Sequence, residues 1–216
     1  AVGIFLGFRN NASYDKFWEG RKLWGALVNT TRSLTRQTCH MIDSQQDSEE
    51  VQRFRTIFVK RIIAFVHALR CHLRNQDPSG EIKRFLPAED FDQVIAVKHR
   101  PLAILQQLSR DLAIARKRQW LGGFNYPFME QQLNEFSNIL GACERIKNTP
   151  IPFSYSVLIH RIVAAYCLFL PFGLVETTGV LTPVVVLMIS YAFFELDAIG
   201  DEIENPFGTH PNDLPL

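Results

Sequence analysis

This chain of 216 residues lacks three features: an excess of charge of one sign, closely spaced cysteine pairs and strand-like alternation of apolar and polar residues. Its 23 basic and 22 acidic residues leave a formal net charge of +1, so there is no global field to attract nucleic acid. The four cysteines form no C-x-x-C pair, which argues against both a zinc ribbon and a disulfide framework. No segment alternates apolar and polar residues as a half-buried strand does. These absences predict an all-α chain with free thiols and no nucleic-acid partner.

Catalytic signatures are missing as well. Serine, histidine and aspartate are scattered, and neither G-x-S-x-G nor H-E-x-x-H occurs. No glycine-rich loop of the kind that holds a nucleotide phosphate is present. His67, Cys71 and His72 lie close together on one helical stretch, but no acid completes a metal site there. We therefore predict no catalytic residues, no bound metal and no enzyme.

The uneven distribution of charge is the most informative feature of the chain. Residues 153–194 contain only two charged side chains, Arg161 and Glu176, whereas the rest has an ordinary soluble composition. Residues 155–175 are long enough to cross about 30 Å of hydrocarbon, with His160 and Arg161 near enough to its start to reach the interface. A second apolar run begins at Pro183, with Thr182 as its predicted N-cap. The two runs predict a transmembrane helical hairpin, and a hairpin buried in a soluble core is the alternative.

The residues around this hairpin predict its orientation. The connector, residues 176–179, has no basic residue, whereas Arg145 and Lys147 precede the first span. The positive-inside rule then places the connector outside and both ends of the hairpin in the cytoplasm. We predict an integral membrane protein whose soluble part lies mostly in the cytoplasm.

Composition, periodicity and turn residues divide the chain into four segments. These are the end of a pore-lining apolar helix (1–17), a cytosolic helical region (18–152), the hairpin (153–200) and an acidic cytosolic tail (201–216). Within the second segment, periodicity predicts helices that end near residues 43, 74, 120 and 147. The first eight residues are apolar but lack a basic leader, so we interpret the chain as an internal fragment rather than one with a signal peptide.

One stripe of the first helix has the spacing of a pore lining. Ile4 and Phe8 are four residues apart and share a helical face, which Asn11 and Asp15 continue. A ring of apolar side chains gates ions by dewetting, and a ring of carboxylates favours cations. Contact with lipid or another helix explains the apolar pair equally well, and a solvated helix face explains the polar pair. Spacing alone favours these plainer interpretations.

Two motifs resemble the bestrophin family of ion channels, and the bacterial branch in particular. The run from Gly3 to Phe8, followed by the charged and aromatic cluster from Tyr14 to Glu19, is similar to that family's neck. Asn205-Pro206-Phe207-Gly208 follows an acidic stretch and is similar to the N-P-F-G element beyond the family's last transmembrane helix. The order of elements between the two motifs also fits the family.

The resemblance implies a homopentamer around one axial pore in a bacterial inner membrane. It implies passive conduction of small monovalent ions, either chloride or sodium-type cations, with Ile4 and Phe8 as the neck and gate. Four transmembrane helices are implied, of which this chain lacks the first and part of the second. Because Asp15 adds a carboxylate below the neck, we hypothesise that monovalent cations pass as well as or better than chloride. A membrane-anchored helical interaction protein without channel activity is the alternative.

The tail departs from the family's calcium-activated animal members. Those members carry an acidic run after N-P-F-G that helps to hold calcium, whereas residues 209–213 contain one acid. Asn205 and Asp213 match positions of this clasp, but His210 stands where an acid is expected. We interpret Asn205 and Asp213 as vestigial clasp positions, which leaves calcium open, and we predict no other cofactor.

Overall fold

The structure, a computed structural model, describes residues 2–43 and 49–216. Within these ranges no strand occurs, and the one β-type contact is an isolated bridge between Ile42 and Leu121. The all-helical prediction is therefore confirmed. The helices are α1 (Val2–Met41), α2 (Glu49–Leu73), α3 (Ser79–Ile82), α4 (Ala88–Ile95), α5 (Arg100–Lys117), α6 (Tyr126–Asn148), α7 (Phe153–Thr178) and α8 (Thr182–Glu202).

The start of α5 agrees with the sequence because a proline marks it. Pro101 lies in the first turn of α5, and His99 caps that helix by accepting the N–H of Leu102 at Nδ1. The prediction that this helix ends near residue 120 is wrong by three residues, because Gln119 takes a left-handed conformation with φ 61°. The acids at Glu49 and Glu50, together with Asp47, predict a helix start, and α2 begins at Glu49, whereas Asp47 lies outside the described residues.

The chain forms two compact units. The first consists of residues 1–21 and 146–215, and the second of residues 22–145 with residue 216. Helix α1 begins in the first unit and ends in the second, and α6 begins in the second and ends in the first.

The second unit has an apolar core in which α2 packs along α5. Apolar residues recur on α2 every three or four positions, as the periodicity predicts, and one stripe of the helix is buried. The rings of Phe65 and Phe136 pack with their centroids 4.9 Å apart and join α2 to α6. The buried residues of this stripe include Phe58, Ile62, Phe65 and Leu69.

A single guanidinium in this unit serves two carboxylates. Arg61 of α2 contacts Asp111 of α5 through Nη1 and lies 2.5 Å from Oδ2 of Asp90 through Nη2. Burial raises the pKa of the Asp111 carboxyl to about 6. The positive charge of Arg61 lowers this pKa, because it stabilises the ionised carboxylate. The negative charge of Asp90 raises it, because like charges repel.

We expect Asp111→Asn to change how thermal stability depends on pH. A carboxyl whose pKa rises on folding holds its proton more tightly in the folded state, so it stabilises the fold less as the pH rises from 3.8 to about 6. Melting temperatures in detergent between about pH 4 and pH 7 measure this, and the wild-type value minus the variant value should fall as pH rises. Asp92→Asn removes an exposed carboxylate from α4 and is the matched control. A difference that stays constant or rises with pH would contradict the raised pKa.

The first unit is built on a helical hairpin. Helices α7 and α8 pack along each other, and the rings of Tyr166 and Phe193 meet edge-on with centroids 5.3 Å apart. A 3₁₀ turn, Gly179–Leu181, joins them, and its first residue has φ 52°. Thr182, predicted as the N-cap, is instead the first residue of α8, and its hydroxyl donates to the carbonyl of Gly179.

The hairpin has the length and composition of a membrane-crossing segment. The described residues contain one stretch of this kind, Phe153–Glu202. It includes both helices of the hairpin, because α7, the 3₁₀ turn and α8 follow one another without a break. Its most apolar window has a mean hydropathy of 1.9, and only 6% of that window is buried. A core hairpin of a soluble bundle is buried, so this exposed apolar surface favours the membrane interpretation. The most exposed large side chains on its helices are Phe153, Leu168, Phe169, Phe172, Leu187, Met188 and Tyr191.

Candidate functional site

One face of α1 carries the four residues predicted to line a pore. Ile4, Phe8, Asn11 and Asp15 are all exposed in the described chain. Ile4 and Phe8 each leave 63% of their surface uncovered. Along the helix the order is two apolar side chains, an amide and then a carboxylate. An exposed apolar pair followed by polar groups has the composition of a hydrophobic constriction that opens into a wider, hydrated mouth.

The other side of α1 is buried within the first unit. Leu6, Arg9 and Ser13 lie on it, and each is at most 2% exposed. At about 3.6 residues per turn, this stripe and the exposed stripe lie on nearly opposite sides of the helix. Leu6 packs against Ile159 and Val163 of α7. Packing against the hairpin therefore determines which face of α1 stays free.

Arg9 is the largest fully buried side chain among the described residues. Its Nη1 contacts Asp197 and its Nη2 contacts Asp201, one turn further along α8. Nε2 of His160 on α7 lies 3.3 Å from a carboxylate oxygen of each aspartate. Two carboxylates thus compensate one guanidinium, and a buried charge needs such partners to be tolerated.

A close approach of α1 to α8 lies beside this ionic group. Nδ2 of Asn10 donates to the carbonyl of Leu196 at 2.9 Å. A Cβ on Gly200 would collide with Oδ1 of Asn10, so a larger residue there would force the Asn10 amide to move. Side chain and backbone contacts as well as charge therefore hold α1 to the hairpin.

The N-P-F-G turn packs against α1 further along the helix. Phe207 is fully buried, and its ring lies 3.2 Å from the place that a Cβ on Gly20 would occupy. Leu214 covers the same glycine, and its N–H donates to the carbonyl of Pro206 at 2.9 Å. The segment after α8 is therefore fastened to α1 through one aromatic and one aliphatic side chain.

The two predicted clasp residues lie on this fastened segment. Oδ2 of Asp213 accepts the N–H of His210 at 2.6 Å. A Cβ on Gly208 would collide with the carboxylate of Asp213 and lie 3.5 Å from Nδ2 of Asn205, so both side chains approach the same glycine. Calcium takes about six to eight oxygen ligands, and Asp213 supplies a single carboxylate with one oxygen already engaged. The side chains of Asn205 and Asp213 alone therefore supply fewer oxygen ligands than a calcium ion takes.

The other acidic side chains near the end of α8 are also engaged within the chain. Oε1 of Glu202 accepts a hydrogen bond from Nδ2 of Asn212 at 2.8 Å. Oε1 of Glu204 accepts one from the backbone N–H of Ile151 at 2.9 Å. Asp201 pairs with Arg9. These carboxylates therefore tie the tail to neighbouring segments of the first unit.

The ionic group around Arg9 was not predicted from the sequence. The sequence pattern did not predict that the imidazole of His160 would face Asp197 and Asp201. The available signal was the presence of opposite charges in two otherwise apolar segments, because ionisable side chains in such segments pair with one another.

Comparison with known proteins points to one family. The family model described as "Bacterial/Fungal Bestrophin protein" matches residues 1–216. A voltage-dependent anion channel-forming protein of Ralstonia nicotianae is 44% identical over 216 residues, which are 100% of this chain and 69% of that protein. A protein of the same description from Escherichia coli K12 is 41% identical with the same coverage.

Solved structures agree with the sequence relatives. The crystal structure of a mutated bacterial bestrophin homologue from Klebsiella pneumoniae matches with a TM-score of 0.93 and 36% identity. The match covers 100% of this chain and 78% of that one. Since the family model and this fold both extend over the whole chain, the protein belongs to the bacterial and fungal bestrophin family.

Proposed function

We propose that the protein is an ion channel that passes small monovalent ions passively through a pore lined by α1. The observation that carries this proposal is the exposed stripe of Ile4, Phe8, Asn11 and Asp15 on a helix whose opposite side is buried. Relatives named as voltage-dependent anion channel-forming proteins support a channel. Family membership also confirms the prediction that the chain is not an enzyme.

A pore of this kind needs several copies of the chain. One α1 helix presents one Ile4 and one Phe8, and a closed cyclic arrangement brings copies of the stripe around a shared axis. The family resemblance implies five copies, and we adopt a homopentamer in the lipid bilayer. The exposed apolar side chains of α7 and α8 then contact lipid or a neighbouring copy.

The rings of Ile4 and Phe8 form the neck in this arrangement. Water leaves a narrow apolar constriction, and an ion that enters must give up part of its hydration shell. The neck therefore opposes ion flow until it widens. No energy-coupling group is required, because ions move down their own gradient.

Asp15 gives the pore its charge preference in this proposal. It lies seven residues beyond Phe8, which is about 10 Å along the helix, and it is exposed. A ring of such carboxylates concentrates cations at the mouth. The names of the relatives refer to anions, so the effect of this carboxylate needs a direct test. We propose that cations pass at least as well as chloride.

We also propose that the connector of the hairpin lies outside the bacterial inner membrane and that most of the soluble part is cytoplasmic. The basic residues Arg145 and Lys147 before the first span support this orientation. Conduction does not require calcium in this proposal, because the side chains of Asn205 and Asp213 alone supply fewer oxygen ligands than that ion takes.

The reversal potential under a NaCl gradient tests the function. We expect the purified protein in a planar bilayer to give currents that reverse midway between the sodium and chloride potentials or nearer the sodium potential, and Asp15→Asn to shift this value towards chloride. Glu176→Gln removes an exposed acid from the end of α7 and should leave the reversal potential unchanged. Wild-type currents that reverse near the chloride potential would contradict the cation preference alone. An assembled oligomer without current would contradict the channel itself.

A further inference from the structure

Three side chains that are far apart in sequence converge in the second unit. Nε2 of His72 on α2 lies 2.7 Å from Oε1 of Glu144 on α6. Nε2 of His99, at the start of α5, lies 2.7 Å from the same oxygen. In the described part of the chain this is the one group of three potential metal ligands, with its ligand atoms within 4.8 Å of one another.

The way these groups meet differs from an ordinary histidine–carboxylate pair. His67 pairs with Oε2 of Glu81 while Arg70 takes Oε1, so each oxygen has its own donor. In the group of three, both imidazoles direct Nε2 to a single oxygen, and their rings lie with centroids only 4.8 Å apart. Two imidazolium ions this close would repel each other. A divalent cation bound between the two Nε2 atoms and the Glu144 oxygen would avoid this repulsion, because each of the three atoms would donate a lone pair to it.

We propose that His72, His99 and Glu144 form a zinc site, with Nε2 of each histidine and the Glu144 carboxylate as ligands. Two imidazoles and one carboxylate are an established zinc ligand set, and they leave a fourth position for water. Tetrahedral zinc keeps its ligand atoms about 3.3 Å apart, so the two histidine–carboxylate contacts of 2.7 Å must open by roughly half an ångström, and ligand atoms as far apart as 4.8 Å must come closer together. The side chains are 29%, 37% and 26% exposed, which leaves room for this movement.

Metal binding changes one hydrogen bond at the site. Nδ1 of His99 accepts the N–H of Leu102 at 3.3 Å, so Nε2 of this neutral ring carries the proton. Zinc at Nε2 moves that proton to Nδ1, and the N–H of Leu102 must then turn to water. Leu102 is 42% exposed, which makes this exchange possible.

Calorimetric titration of the purified protein with Zn²⁺ tests the site. We expect one zinc per chain, and at least tenfold weaker binding in both Glu144→Gln and His99→Asn. Asparagine is itself a good N-cap, so His99→Asn removes the ligand while the start of α5 keeps a cap. Glu81→Gln alters a histidine–carboxylate pair that has no second histidine and should bind zinc like the wild type. Mg²⁺ and Ca²⁺, which prefer oxygen ligands, should not compete.

Thermal stability gives a second, independent measurement. Zinc bound to the folded state alone raises the melting temperature of the wild type and of Glu81→Gln, since it links α2, α5 and α6. The two ligand variants should lose this rise, and their melting temperatures without zinc reveal any folding defect. The site is refuted if zinc binding is not saturable, or if both ligand variants bind it as tightly as the wild type. Channel activity plays no part in either measurement, so the result is independent of the proposed function.

Discussion

Replacing Arg9 with methionine should lower the free energy of unfolding by about 3–5 kcal/mol. The guanidinium is fully buried, and without it the carboxylates of Asp197 and Asp201 face each other with only His160 between them. Asp197 suffers most, because its side chain is only 12% exposed and water cannot replace the lost partner. Methionine retains apolar volume at the site, so the loss reports mainly on charge. Thermal and denaturant unfolding of the purified protein in detergent measure the effect.

Arg161→Met is the matched control, because it removes the same charge from an exposed position on α7. We expect it to change stability by no more than about 0.5 kcal/mol. Adding Asp197→Asn to Arg9→Met should restore part of the lost stability, since it removes the stranded carboxylate. If Arg9→Met unfolds like the wild type, the ionic group does not hold α1 to the hairpin.

Shortening the neck side chains should have the largest effect on conduction. Ile4→Ala and Phe8→Ala remove exposed apolar groups, so we expect them to fold normally and to lower the dewetting barrier. Each reduction of about 1.4 kcal/mol in that barrier raises ion flow about tenfold. Single-channel recording of each variant measures conductance and open probability, and we expect at least one of them to rise several-fold.

Phe172→Ala makes the same truncation on α7, where the side chain is 75% exposed and lies outside the stripe. Its conductance and open probability should match those of the wild type. Melting temperatures of all three variants separate an effect on the pore from an effect on folding. Wild-type conduction by both Ile4→Ala and Phe8→Ala would remove these residues from the gate.

The parts of the fold that depend only on residues close together in the sequence were predictable. The hairpin follows from a long run of apolar residues, and a run of this kind is a property of the chain alone. The start of α5 was correct to within a residue or two, because Pro101 marks it. Gly122 and Gly123 suggested an end near residue 120, whereas the left-handed conformation of Gln119 ends α5 at Lys117.

The pore stripe was only partly predictable. The spacing of Ile4, Phe8, Asn11 and Asp15 places them on one face of a helix, whatever the helix contacts. That this face remains exposed depends on the other side of α1, where Leu6 packs on α7 and Arg9 pairs with α8. Family resemblance suggested the same face, but periodicity alone favoured contact with lipid or another helix.

The sequence by itself determined the helical class, the apolar hairpin and the spacing of the stripe, because each depends on residues within a few turns of one another. Only the tertiary structure paired Arg9 with Asp197, 188 positions away, and brought His72 to Glu144, 72 positions away. Any arginine in an apolar segment needs a partner, but several acids are available to it along the chain. Which acid it meets depends on how the helices pack, and that packing minimises the free energy of the whole fold rather than of any one segment.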